Sequence, residues 1–334
     1  MTASNRHGLM LGRRRFIAIA AAIAGSGVLP RLSAAHEART FSWRGVALGA
    51  EATLTLQHYD EAEAKSAIDA CLAEVARLEA IFSLHRPDSA LVRLNREGAL
   101  LEAPADLRIL LSEAIALAAR TDGAFDPTVQ PLWALYALHF SSGKSDAKRP
   151  SQTAIKEALG RVGWRRVALD AGGIKLLGSG MSLTLNGIAQ GYITDKVGEL
   201  LRARGFRHVL VNMGEQLALG PKWDGSAWQV GIQDPHDPNG LIGRLSLDGG
   251  AVATSGRYCC NSELPGLSSH ILDPRTGEPA SRFASVSVLA ERATCADGLS
   301  TVLSLLPVGM WQSLLGTTSR AYAVEAGSHT GYWV

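Results

Sequence analysis

The run 184–195, Thr-Leu-Asn-Gly-Ile-Ala-Gln-Gly-Tyr-Ile-Thr-Asp, constrains the chain more than any other stretch. Strand-like residues 182–185 lead into it. A helical repeat of Ile193, Val197 and Leu200/Leu201 leaves it and stops at Gly205. Gly187 and Gly191 sit at the junction among small neighbours. Glycine there permits torsions and close approaches that a side chain would block. A helix beginning near Tyr192 also presents unpaired amides, which suit an anion. Two readings follow from these residues alone: a tight strand-to-helix turn without a ligand, or a cradle for a phosphate.

The rest of the chain alternates strands and helices. Residues 41–56 predict one or two strands broken at Leu48-Gly49-Ala50, and Asp60 opens a helix with Glu63 placed for a capping box. Residues 89–95 and 151–159 predict short helices, and Pro104 starts a longer one with Leu107, Leu110 and Leu117 inward. Residues 121–133 carry two prolines, a glycine and two aspartates, which predict a structured loop, and 141–150 predict an exposed excursion. His85-Arg86 beside Pro87 predicts a surface turn, of interest only in company. Short strands fill most of the final third. No internal repeat is visible, and no G-x-G-x-x-G follows the first strand. The expected fold class is therefore α+β, with mixed or antiparallel sheet layers and packed helices, rather than a doubly wound parallel sheet.

Near the C-terminus, residues 294–306 form a second informative helix. Leu299, Val302, Leu303 and Leu306 fall on one side, and Asp297 and Thr301, four apart, fall together on the other. Either Asp297 caps the helix and Thr301 faces solvent, or the two share a polar site near the amide-rich end.

The N-terminus reads as an export signal. Arg13-Arg14-Arg15-Phe16 precedes a short alanine-rich apolar run, and Ser33-Ala34-Ala35 supplies small residues for cleavage. Paired arginines before Phe resemble a twin-arginine signal. The expected organisation is a signal over 1–35 and one domain over 36–334, exported to the periplasm. No transmembrane segment is expected in the mature chain; an uncleaved anchor is the alternative. Residues 1–35 hold five arginines and no acid, which leaves 28 basic against 31 acidic side chains, about −3 rather than +2. Nucleic acid is not an expected partner. Four cysteines without a C-x-x-C pair exclude a disulfide scaffold and a zinc or redox motif of that type.

Five blocks in order then carry a resemblance: Gly123-Ala124-Phe125-Asp126-Pro127-Thr128-Val129; residues 185–191; Ala253-Thr254-Ser255-Gly256; Ser269-His270-Ile271-Leu272-Asp273-Pro274-Arg275-Thr276-Gly277; and Ala296-Asp297-Gly298-Leu299-Ser300-Thr301. Together they resemble the ApbE family, the FAD:protein FMN transferases, over essentially all of the exported part. The wording Leu-Asn-Gly-Ile-Ala-Gln-Gly and the twin-arginine signal are most similar to the NosX branch. The resemblance implies a T-fold-like architecture and Mg²⁺-dependent transfer of FMN from FAD to a Thr or Ser hydroxyl of a partner protein, with release of AMP. It also implies metal ligands at Asp297, Thr301 and the Gly187 carbonyl, and catalytic roles for His270 and Asp297. Flavin contacts would fall at Leu48, His85, Ala124, Phe125, Asp126, Thr184, Gln190 and Ile271, with Arg257 as a further nucleotide contact. A membrane-anchored flavin acceptor, NosR-like and serving nitrous oxide respiration, would be the partner.

Some positions depart from the family's usual pattern. Many members carry Asp at the position of Thr184, Gly at that of Asn186 and Lys or Glu at that of Gln190. Leu48-Gly49-Ala50 replaces a Met-Gly-Thr block, and an aromatic residue is commoner at His85. These departures motivate the alternative of a non-enzymatic FAD carrier or assembly factor for an exported reductase. Hydrolysis of FAD to FMN and AMP is a further alternative.

Overall fold

In the computed structural model, residues 38–141, 149–256 and 269–334 are described. The export-signal reading and Arg257 therefore lie outside the described residues, as does most of the excursion expected at 141–150. The strand pair β1 (Arg39–Ala47) and β2 (Ala50–His58) is closed by Leu48 and Gly49, at φ 46° and 85°. Two successive positive φ values give the tight hairpin turn whose twist matches that of its strands. Helix α1 (Glu61–Phe82) starts at Asp60, whose carboxylate accepts the N–H groups of Ala62 and Glu63. The expected capping box forms only in part. The Asp60 N–H donates to His58 Nδ1 at 3.1 Å, and Glu63 turns to His58 Nε2 at 3.6 Å.

Next come α2 (Ala90–Glu97), capped by Ser89, β3 (Ala99–Leu101) and α3 (Ala105–Arg120). The helices α4 (Gln130–Ser141) and α5 (Gln152–Leu159) lead to β4 (Val167–Asp170) and β5 (Gly173–Leu176). After α6 (Ala189–Ala203) the chain is mostly strand: β6 (Val209–Asn212), β7 (Gln216–Ala218), β8 (Trp228–Asp234), β9 (Asp237–Leu247), β10 (Gly250–Gly256) and β11 (Phe283–Ala290). It ends with α7 (Ala293–Leu303), α8 (Trp311–Leu315), β12 (Arg320–Glu325) and β13 (Gly331–Trp333).

Eight strands form one sheet in the order β1-β2-β6-β7-β10-β11-β12-β13, with every pairing antiparallel. The expected α+β class is what the molecule adopts. Alternate residues of the central strands serve two cores. Val209, Val211, Ala253 and Val288 pack with α1, α6 and α7, whereas Leu210, Ala218, Val252 and Leu289 pack against the β8–β9 ribbon through Trp228, Val230 and Leu245. Burial on both faces is why these strands read as near-continuous apolar runs.

Three sequence expectations need correction, and all three concern the site. Residues 182–185 are extended but join no sheet. The side chain of Asn95 replaces a strand partner: Oδ1 accepts Leu183 N–H at 2.6 Å and Nδ2 donates to Leu183 O at 2.8 Å. The following helix begins at Ala189 rather than near Tyr192, so Gln190 and Gly191 lie in its first turn. The loop expected over 121–133 gives way to α4 at Gln130. Pro131 is tolerated there because an N–H in a first helical turn has no intrahelical partner to lose.

Candidate active site

The two glycines make one junction between α6 and α7. A Cβ on Gly191 would stand 2.3 Å from Ala293 O and 2.8 Å from Asp297 Cβ, so only glycine lets the helices approach this closely. The gap is bridged by Gly191 N–H donating to Asp297 Oδ2 at 2.9 Å. Asp297 is therefore not the N-cap of α7. That task falls to Asp195, whose carboxylate accepts Ala293 N–H at 2.8 Å, Thr294 N–H at 2.9 Å and the Thr294 hydroxyl. With the helix terminus satisfied by a neighbour, Asp297 is released for another use.

Asp297 is buried, and Thr301 is half-buried rather than solvent-facing. Thr301 Oγ1 lies 3.5 Å from Gly187 O, so the polar helix face read from sequence meets the glycine turn. Ser255 on β10 closes the group, with its Oγ 2.8 Å from Ser300 Oγ and 3.4 Å from Thr301 Oγ1. Ser300 Oγ donates in turn to Asp297 O at 2.9 Å. Glu215, buried in the turn between β6 and β7, accepts Thr254 N–H of β10 at 3.3 Å.

The carboxyls of Asp195, Asp297 and Glu215 act on one another at this site. Burial pushes the Asp297 carboxyl up to about 7; the Gly191 N–H opposes this and the Asp195 charge adds to it. Burial pushes Glu215 up as well, reinforced by the charge on Asp297 and opposed by the Thr254 N–H. Arg292 Nε stands 3.6 Å from Asp195 Oδ2.

A carboxylate, a hydroxyl and a backbone carbonyl form an all-oxygen donor set of the kind Mg²⁺ takes while keeping waters and substrate phosphates. The 3.5 Å separation of Thr301 Oγ1 and Gly187 O is slightly wider than the ~3 Å between adjacent corners of an octahedron with 2.0–2.1 Å bonds. The residues fit such an ion. Among the described residues no three His, Cys, Asp or Glu side chains converge as a metal site, so any ion here would rely on the hydroxyl and carbonyl.

The expected flavin contacts divide into three groups. Phe125 lies beside the junction, its ring edge 3.4 Å from where a Gly187 Cβ would be. Ala124 is buried next to it, and Thr184 N–H ties this loop to the junction by donating to Pro127 O at 2.8 Å. Asp126 holds the loop itself. Its Oδ1 accepts Thr128 N–H at 2.8 Å and the Thr128 hydroxyl at 2.6 Å, and Oδ2 accepts Trp164 N–H at 3.0 Å. Gln190 packs over Gly214, whose Cβ would fall 2.7 Å from its amide.

Leu48 and His85 gather at one end of α1. Leu48 N–H donates to Glu79 Oε1 at 2.8 Å, and exposed His85 follows the helix by three residues. Phe82, one turn beyond Glu79, meets Tyr192 of α6 edge-on at 5.6 Å. His270 and Ile271 arrive on a separate loop, closed by Ala280 N–H donating to Ile271 O and packed through Leu272 against Leu132, Tyr136 and Ile155. Hydrogen bonds tie 271–280 to α4 through Tyr136 and to Arg149. Asp273 is engaged by Arg275 Nε at 2.9 Å and Nη2 at 2.8 Å and holds the turn.

Sequence reasoning missed Asn95, Asp195, Glu215, Ser255 and Ser300 as site-building residues. Glu215 had a signal, an acid between two apolar strands, and Ser255 and Ser300 sat inside quoted blocks. Asn95 had none, because its partner is 88 positions away.

Known proteins with this sequence pattern and fold agree with one another. The ApbE family matches residues 48–324. The chain is 35% identical over 268 residues to the FAD:protein FMN transferase of Treponema pallidum, covering 73% of this chain and 72% of that protein. It is 31% identical over 236 residues to the FAD:protein FMN transferase of Salmonella typhimurium, covering 68% and 67%. Among solved structures, the ApbE protein of Thermotoga maritima superposes with a TM-score of 0.75 at 29% identity, covering 88% of this chain and 96% of that one. The apo flavinyl transferase ApbE of Pseudomonas stutzeri gives 0.75 at 28% identity, covering 90% and 96%. The family match spans most of the chain, including the Gly187–Thr301 junction, and the chain belongs to the ApbE family of FAD:protein FMN transferases.

Proposed function

We propose that the chain transfers FMN from FAD to a Thr or Ser hydroxyl of an acceptor protein, with Mg²⁺ held at Asp297, Thr301 and the Gly187 carbonyl. The observation that carries this reading is the approach of Thr301 Oγ1 to Gly187 O beside buried Asp297, whose carboxyl burial pushes up to about 7. The ion, when bound, would neutralise the diphosphate oxygens. The acceptor oxygen forms a bond to the FMN phosphorus, the bond from that phosphorus to the bridging oxygen breaks, and AMP departs with that oxygen. The imidazole of His270 takes the proton from the acceptor hydroxyl. Phe125 and the loop braced by Asp126 would border the flavin, and Gly187 keeps a side chain out of the space beside Thr301 Oγ1.

The twin-arginine reading supports action in the periplasm on a membrane-anchored acceptor, and the NosX-like wording supports a NosR-like one. Among the described residues no helix is long and apolar enough to cross a membrane.

The test is mass spectrometry of a candidate acceptor incubated with the protein, FAD and Mg²⁺, with EDTA and Asp297→Ala controls. A gain of one FMN and release of AMP, both absent from the controls, is expected. Tight FAD binding with neither product across several acceptors would replace this reading with that of a carrier.

A further inference from the structure

The hydroxyl protons of the junction can be counted. Ser300 Oγ spends its single proton on Asp297 O at 2.9 Å, so in its 2.8 Å contact with Ser255 Oγ it can only accept. Ser255 is then the donor, and its oxygen is left with lone pairs alone. Among the described residues, Thr301 Oγ1, 3.4 Å away, is the neighbour placed to donate to them. The other outlet for the Thr301 proton is Gly187 O at 3.5 Å, but a carbonyl and a hydroxyl turned toward one cation cannot also share a proton between them.

We propose that Ser255 is a positioning residue of this site: it accepts the Thr301 hydroxyl proton and so keeps the lone pairs of that oxygen directed toward the space it shares with Gly187 O. The inference rests on the reading of Asp297, Thr301 and Gly187 as cation ligands. The chain of bonds, Thr301 to Ser255 to Ser300 to Asp297 O, runs in one direction and begins and ends on ligand residues.

The backbone under Ser255 is fixed independently of this chain. Thr254, pointing to the opposite face of β10, pairs its hydroxyl with Ser287 Oγ at 2.8 Å, and its N–H donates to Glu215. Ser255 itself lies opposite Val286 in the β10–β11 register. Removing the Ser255 hydroxyl therefore deletes the acceptor without releasing the strand. A role confined to tying β10 to α7 would show in stability alone.

The test is calorimetric titration of Mg²⁺ into the protein saturated with ADP, a diphosphate that carries no transferable flavin. Ser255→Ala is expected to weaken Mg²⁺ binding about 10-fold, the lower end for loss of an outer-shell partner. Ser255→Thr, which keeps the hydroxyl, should return it close to the parent, and Ser287→Ala should leave it unchanged. Should Ser255→Ala fail to fold, Ser255→Cys, similar in size and a weak acceptor, carries the same expectation. Parent-like affinity in Ser255→Ala, with binding lost in Asp297→Ala, would overturn the proposal and leave the cation reading standing. Parent-like affinity in Asp297→Ala would overturn that reading and the proposal with it.

Discussion

Gly191 donates its backbone N–H to Asp297 Oδ2 at 2.9 Å across a gap that has no room for a methyl group. The contact joins the first turn of α6 to α7 and fixes one oxygen of the carboxylate. Gly191→Ala would drive a Cβ to 2.3 Å from Ala293 O, which is backbone and cannot swing aside. The expected cost is about 1–3 kcal/mol of stability, as in other overpacked cores, together with loss of flavin transfer. Urea unfolding and the mass assay on the same variant check it; a parent-like midpoint with full transfer would contradict the packing argument.

Stability in EDTA should fall as pH rises toward neutrality. Burial raises the Asp297 carboxyl to about 7 and raises that of Glu215 as well. In the unfolded chain both titrate near their ordinary values of about 4. Between those limits the folded protein binds more protons than the unfolded chain, so this contribution is complete at the acid side and is lost as pH rises through the window. The urea midpoint, followed from ~pH 5 to ~pH 8, should drop, and Mg²⁺ should flatten the drop by favouring the ionised form. Asp297→Asn should remove its share of the slope.

Asn95 is expected to matter to the site although no chemistry is assigned to it. Replacing it with Leu would leave the buried N–H and C=O of Leu183 without partners, at roughly 2–4 kcal/mol for the two groups. Leu183 precedes the Gly187 turn by four residues, so the same variant should weaken Mg²⁺ binding. Calorimetry beside a melting curve separates the two effects.

Asp126→Asn tests whether this residue is a loop brace or a flavin contact. An amide cannot accept at both ends, so one of the bonds from Thr128 or Trp164 must fail, at about 1–3 kcal/mol. A lowered melting temperature is expected, with FAD affinity affected less than by a change at Phe125. A parent-like melting temperature with FAD binding abolished would make it a direct contact.

The sequence by itself determined the α+β class, a strand break at Leu48-Gly49-Ala50, the helix starts at Asp60, Ser89 and Ser151, and the placing of Asp297 and Thr301 on one helical face. These depend on periods of two and 3.6 and on turn chemistry, which are local properties of the chain. Only the tertiary structure decided what those faces meet. It showed that Asp195, not Asp297, caps α7, and that an Asn side chain stands in for a strand partner of residues 182–185. It also showed Asp126 dividing its oxygens between Thr128 and the distant Trp164 N–H, and Ser255 lying between Ser300 and Thr301. Each of these depends on which of several equally suitable polar groups lies nearest after packing, and that choice is made by contacts between residues far apart in the chain, where no local period can register it.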